Sequence, residues 1–328
     1  MTWTAMIASV LVFIVWGIGR SPMDTGSLGA ASGALRQKAP GAEAGRATVN
    51  SSWQDLDTLR DTLTGVASQS PSVQPGTRKR LPHVPFNRTA RDLGQDWCEG
   101  CYTMIGTGRL NSVRQMVEQT IEDGVPGDFL EAGCWRGGAS IFARAVQRQM
   151  DHDNLPRRTY VCDSFSGLPP ASQAEDGDRW SEMSFLRVSQ QQAENNFRFF
   201  GLLDDNVRFV KGFFNASLPT LRKTLIDEGR KLAVLRGDGD MFESYFDILF
   251  NLYDLVSVGG FVVCDDCPGI SVAQKAIDEF RQHHNITEEL QEVSSSAFGS
   301  FWRKERDVRV DSDFFKKWNR QRRHRPGH

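Results

Sequence analysis

Two stretches of this 328-residue chain run from apolar residues straight into paired carboxylates: LRGDGDMFESYFD, Leu235 to Asp247, and FVVCDDCPG, Phe261 to Gly269. Four acids, Asp238, Asp240, Asp265 and Asp266, fall at the ends of what read as two buried strands. Like charges held together repel one another, so a compensating partner is required. A divalent cation answers that need, and hard oxygen ligands suit Mg²⁺, which keeps positions open for water or substrate oxygens. The competing reading is capping, with Asp238 and Asp240 before a helix starting near Met241 and Asp266 before one after Pro268. Caps explain one acid per helix but not two pairs on adjacent strands, which favours the metal. Glu243 and Asp247, on the following helix, read as solvated or structural groups. His283 and His284 follow a surface-like helix and are given no catalytic work.

A second constellation is EAGCWRGG, Glu131 to Gly138. Gly133 lets the chain turn tightly after a strand, and Gly137 with Gly138 would let backbone approach a ligand at a helix start. The turn matches neither G-x-G-x-x-G nor a P-loop, and plain packing is the rival explanation. The next strand ends at Asp163, in VCDSFSGLP, where an acid accepts hydrogen bonds from a ribose diol in open α/β sheets. The rival there is a cap, with Ser164 assisting. Such a pair suits NAD or S-adenosylmethionine. Glu131 beside the turn favours the latter, because a carboxylate repels a pyrophosphate but suits a ligand carrying a sulfonium and an ammonium.

These residues need elements to hold them. GRLNSVRQMVEQTIEDG puts Leu110, Val113, Met116, Val117, Thr120 and Ile121 on one helical face, stopped by Gly124. Strand and helix then alternate: GDFLEAG, TYVCD, NVRFV, KLAVLRG and GFVVCDD read as strands separated by helices, and ELQEVS and GSFWRKE close the series. Strands spaced by helices imply a parallel sheet covered on both faces. The fold class is therefore α/β, a doubly wound, mostly parallel seven-stranded sheet with an antiparallel edge strand, and ligands bind beyond its C-terminal strand ends.

The ends of the chain read differently. Thr2 to Gly19 is eighteen uncharged residues followed by Arg20; as a helix it spans about 27 Å, close to a thin bilayer core. It is taken as an uncleaved signal-anchor over residues 1–20, with a cleaved signal peptide as rival. Arg20 alone places the remainder in the cytosol by the positive-inside rule. The sequons at Asn50, Asn87, Asn215 and Asn285 argue for a lumenal (ER or Golgi) catalytic domain instead. Residues 21–81, rich in small residues and Pro, are expected to form a flexible stem in which WQDLDTLRDTL makes a short helix. The domain is placed at residues 82–306, followed by a solvated basic tail, 307–328. A net charge of −2 gives no reason to expect nucleic acid. Cys98 with Cys101, and Cys264 with Cys267, could imitate a four-thiolate zinc site; the alternative is a disulfide between Cys98 and Cys101 and a buried small residue at Cys264. The polar loop Ala171 to Ser184 is predicted to be a mobile lid.

The ordered motifs TMIGTGRLNSV, GDFLEAGCWRGGASIF, DSFSGLPP, VRFVKGFFNASLP, LRGDGDMFES and GGFVVCDD resemble the macrocin O-methyltransferase family across roughly Tyr102 to Lys304. The resemblance implies the class I methyltransferase fold, S-adenosylmethionine as methyl donor, and a hydroxyl of a sugar, glycan or glycosylated small molecule as acceptor. It also implies Asp238, Asp265 and Asp266 as Mg²⁺ ligands and Asp240 as general base. Glu131, Gly133, Gly137, Gly138, Asp163 and Ser164 match its cofactor-binding motifs. A homo-oligomer is compatible with it. Two positions depart from it: Gly237 stands where a bulky apolar residue is expected, and Cys267 where an aromatic one is. Two other readings stay open, an inert glycan-binding or scaffolding module and a nicotinamide-dependent oxidoreductase.

Overall fold

A computed structural model describes residues 55–73, 83–150, 156–171, 176, 180–293 and 298–323. Seven strands form the main sheet: β1 Asp128–Ala132, β2 Thr159–Asp163, β3 Val207–Lys211, β4 Leu232–Gly237, β5 Val256–Pro268, β6 Gln291–Glu292 and β7 Phe298–Arg303. Their order is β3-β2-β1-β4-β5-β7-β6. The first five run parallel; β7 is antiparallel to both β5 and β6. Every residue of β1 and β4 is buried, as expected where helices cover both faces of a parallel sheet.

The helices are α1 Leu56–Leu63, α2 Arg88–Asp92, α3 Gly106–Glu122, α4 Gly138–Met150, α5 Gln190–Phe199, α6 Phe214–Asp227, α7 Phe242–Leu252, α8 Ser271–His283 and α9 Ser312–Arg323. Apolar side chains of α1, α3, α4 and α5 form one core with Phe129, Val161, Val234 and Val263 of the strands. Those of α6, α7 and α8 form the other, with Leu130, Cys162, Leu235 and Cys264. The strand residues alternate between the two cores with the period of two that a pleated strand imposes. Register then levels the strand ends: Ala132 pairs with Cys162 and Gly237, and Gly237 pairs with Cys264. The acids that follow these residues therefore meet at one edge of the sheet, where the strand order reverses.

Four expectations about the chain ends and the lid require correction or fall outside the described residues. The stem does not extend over 55–73. Asp55 caps α1 by accepting the amides of Asp57 and Thr58, and Leu56, Leu59 and Leu63, at i, i+3 and i+7, are buried against α3 and α4. The buried Arg91 ties this segment down, donating to the Thr64 and Ser70 carbonyls at 2.9 Å each and to Asp96. Ser72–Val73 pairs antiparallel with His83–Val84 and Trp97–Cys98. The basic tail is likewise ordered as α9, because three aromatic residues sit among its charges. Phe315 stacks on Phe250 at 4.8 Å between centroids, and Trp318 lies 4.9 Å from Phe246. Much of the lid stretch, 172–175 and 177–179, lies outside the described residues, as do the expected anchor and residues 21–54 of the stem. Among the described residues no helix is long and apolar enough to cross a membrane.

Each C-x-x-C pair closes on itself, Cys98 with Cys101 and Cys264 with Cys267, so the four-thiolate zinc site does not form. The docking of α9 gives a direct test: Trp318→Ala should lower the unfolding free energy by about 1–3 kcal/mol, measured by urea titration. An unchanged midpoint would return these residues to the status of a solvated tail.

Candidate active site

The end of β4 and the end of β5 bring three carboxylates together. Oxygens of Asp238, Asp265 and Asp266 all lie within 4.8 Å of one another. Two arginines face them. Arg236, 1% exposed within β4, reaches Asp238 Oδ2 at 3.0 Å and Asp265 Oδ1 at 2.5 Å, and it pairs with Glu131. Arg109, from α3, takes the other oxygen of Asp265. Asp266 is held differently: its Oδ2 accepts the amides of Gly239 at 3.1 Å and Asp240 at 2.9 Å, and the Tyr245 hydroxyl at 2.7 Å. Asp266 thereby fixes the turn that carries Asp240, whose φ of 57° is left-handed, a conformation that aspartate tolerates better than most residues. Burial, reinforced by neighbouring carboxylates, pushes the Asp238 and Asp240 carboxyls well above the usual range.

The glycine turn is built for protein packing more than for a ligand. Gly133 has φ 96°, and a Cβ there would stand 1.7 Å from the Asp238 carbonyl oxygen, so only glycine lets the chain leaving β4 cross the end of β1. Gly137 and Gly138 depart from expectation. Their amides donate to the carbonyls of Cys134 at 2.7 Å and Tyr102 at 3.0 Å. Added Cβ atoms would meet the Phe197 ring and the Tyr102 carbonyl. Their smallness serves α5 and the segment before α3. Glu131 departs as well, since its oxygens engage Arg236 and Ser140 in the interior. Asp163 ties the end of β2 to the turn after β1. Its Oδ2 accepts the amides of Cys134 and Trp135 at 2.9 and 3.3 Å, and Oδ1 accepts that of Phe165 at 2.8 Å. Ser164 donates to the Gly167 carbonyl.

A cavity of about 310 Å³ opens across these strand ends. Of the residues expected in the site, Gly133, Asp163, Ser164, Asp238 and Asp240 line it. Glu131, Gly137 and Gly138 do not, and Asp265 and Asp266 lie buried behind Asp238. Glu243 and Asp247, expected to be solvated or structural, are buried and face the cavity. Sequence reasoning also passed over Trp135, Phe213 and Phe214, which form apolar wall. Their place immediately after β1 and β3 was the available signal, because ligands in such sheets gather at C-terminal strand ends. Among the described residues the cavity wall carries five carboxylates, Asp163, Asp238, Asp240, Glu243 and Asp247, and no lysine or arginine. Such a wall repels a phosphate-bearing dinucleotide and suits a cationic ligand with an aromatic ring.

This strand order and cavity position are those of a class I methyltransferase. The solved structure of the O-methyltransferase NovP has the same fold: TM-score 0.68 and 37% identity, covering 78% of this chain and 100% of that one. The Macrocin-O-methyltransferase (TylF) family model matches residues 43–304, and the chain belongs to that family. It is 38% identical over 275 residues to the demethyldecarbamoylnovobiocin O-methyltransferase of Streptomyces niveus, covering 82% of this chain and 100% of that protein. It is 39% identical over 253 residues to the 8-demethyl-8-(2,3-dimethoxy-alpha-L-rhamnosyl)-tetracenomycin-C 4'-O-methyltransferase of Streptomyces olivaceus, covering 76% and 91%. The chain is an S-adenosylmethionine-dependent O-methyltransferase, and the inert-module and oxidoreductase readings are set aside. The relatives come from bacteria, and no described helix can span a bilayer. The expected single-pass membrane placement with a lumenal catalytic domain is corrected accordingly.

Proposed function

We propose that this enzyme methylates a hydroxyl of a sugar or a glycosylated small molecule, with Mg²⁺ held by Asp238, Asp265 and Asp266 and with Asp240 as general base. One observation carries the reading: two acidic strand ends converge beside one cavity, with Asp238 and Asp240 at its wall and Asp265 and Asp266 buried behind. The donor set fits the ion. Five carboxylates (Glu131, Asp238, Asp240, Asp265 and Asp266) cluster here, and the two guanidiniums, Arg109 and Arg236, pair among the described residues only with Glu131, Asp238 and Asp265, leaving an excess of acids whose charge a divalent cation would offset. The pairing of Asp265 with both arginines still leaves lone pairs, since an ionised carboxylate offers about four acceptor sites.

When bound, Mg²⁺ supplies Lewis-acid polarisation of acceptor oxygens, and S-adenosylmethionine supplies the electrophilic methyl group. The residues of this chain do the rest. Asp240 takes the proton from the attacking hydroxyl. Gly133 and Asp163 shape the donor's seat, and the five carboxylates of the wall favour its positive charge. The buried acids Glu243 and Asp247 offer acceptors to further sugar hydroxyls. Support for a sugar comes from the tetracenomycin relative, whose name specifies a rhamnosyl acceptor.

Calorimetry of S-adenosylhomocysteine with the full chain and Mg²⁺ is expected to give micromolar binding. Labelled methyl transfer to deoxysugar glycosides should then fall at least about tenfold on chelation and return with Mg²⁺. A folded protein that binds no S-adenosylhomocysteine would sink the donor assignment, and turnover indifferent to chelator would sink the metal.

A further inference from the structure

Gly237 stands where a bulky apolar residue was expected, immediately before Asp238. The space is filled from elsewhere. A Cβ on Gly237 would meet Tyr245 Cε1 at 3.0 Å and Ile248 Cδ1 at 3.5 Å. The backbone at Gly237 is not left-handed, so what requires glycine is room for the tyrosine ring. Tyr245 lies in α7 and is 1% exposed. Its ring passes against the end of β4, which carries its hydroxyl to 2.7 Å from Asp266 Oδ2 and 2.9 Å from the Gly237 carbonyl oxygen. A phenol has one proton to give, and an ionised acceptor binds it roughly twice as strongly as a neutral one, so Asp266 receives it. Oδ2 of Asp266 then holds three donors, the phenol and the amides of Gly239 and Asp240.

We propose that Gly237 and Tyr245 work as a pair, the glycine making room and the tyrosine serving as a positioning residue for Asp266 and, through it, for the turn carrying Asp240. The proposal rests on the reading of Asp266 as a metal ligand and Asp240 as the base. A Cβ at 237 already presses on the ring, and a residue of the expected size would displace it further and pull its hydroxyl away from Asp266. The departure at Gly237 is thus one half of an exchange whose other half lies eight residues on. Phenylalanine at 245 would fill the same space but could not hold the carboxylate.

Tyr245→Phe removes one oxygen and keeps the packing, so it should fold. It is expected to lower kcat about tenfold and to weaken Mg²⁺ binding about tenfold, the range seen when a group behind a metal ligand is lost. The KM for S-adenosylmethionine and the affinity for S-adenosylhomocysteine should not change. Gly237→Val keeps the tyrosine but occupies its space, and it should lower kcat in the same way.

A double-mutant cycle of Tyr245→Phe with Asp266→Asn, read by urea unfolding in chelator, tests the contact without any metal. Coupling of about tenfold in the unfolding constant is expected for residues in direct contact. Absent coupling, together with wild-type kcat in Tyr245→Phe, overturns the proposal. Coupling that persists in an enzyme indifferent to Mg²⁺ leaves Tyr245 as the positioning residue and removes the metal reading alone.

Discussion

Asparagine in place of Asp240 is expected to lower kcat by about 10²–10⁴-fold, the usual share of a general base, while S-adenosylhomocysteine binds as before. The substitution is a clean one for a structural reason. Asp240 sits at φ 57°, and asparagine enters that region as readily as aspartate. Its amide N–H, which donates to Asp266, is untouched. What is lost is the capacity to take a proton. Burial, with the charges of Asp266, Asp265 and Asp163 adding to it, pushes the Asp240 carboxyl up. The basic form therefore appears only above a raised pKa, and the wild-type rate should fall as pH drops through it. That acid limb should be missing from the residual activity of the variant. Full turnover by Asp240→Asn would leave the enzyme without an assigned base, and Glu243 and Asp247 across the cavity would be the next residues to vary.

Much of this site was legible in the sequence because it lies at strand ends. An apolar run closing in DGD and another closing in CDD identify two parallel strands, and neighbouring strands of one doubly wound sheet must bring their C-terminal ends together. The partners of those acids were harder to see. Arg236 is the one charged residue inside LAVLRG, and Glu131 the acid in DFLEA just before the turn; the two are direct register partners across β1 and β4. An arginine and an acid at equivalent positions of adjacent buried strands form a readable cross-strand pair, but Glu131 was read as a ligand contact. Gly137 and Gly138, read as points of ligand approach, lie off the cavity wall. A glycine shows that something comes close, and here it is Phe197 and the Tyr102 carbonyl. The short helix in WQDLDTLRDTL was legible and forms as α1, but composition hid that its leucines pack into the core and that three aromatics order the basic tail. The exchange between Gly237 and Tyr245 could not be read at all, since it depends on which way a ring lies across the end of a strand.

Replacing Arg236 by methionine is expected to cost about 3–5 kcal/mol of stability, because the loss of one partner leaves buried charges uncompensated. Two guanidiniums are built into the fold, and Arg236 alone touches Glu131, Asp238 and Asp265. Burial works against its charge, but those three carboxylates hold it protonated. Without it the acids would take up protons in the folded state. Glu131 is already raised, by burial first, and would rise further. A carboxyl with a folded pKa above its unfolded one stabilises the fold at low pH and loses that contribution as pH rises through the folded value. The deficit of Arg236→Met should therefore be smaller near pH 5 than near pH 8 when urea midpoints are compared with wild type. Arg236→Lys should fall between the two, since a single ammonium keeps the charge but lacks the planar fork that spans several carboxylates. A methionine variant as stable as wild type at both pH values would show that the guanidinium is not what balances the cluster. The cation proposed for Asp238, Asp265 and Asp266 would then have to carry that role, and chelation would be expected to unfold the variant and not merely to silence it.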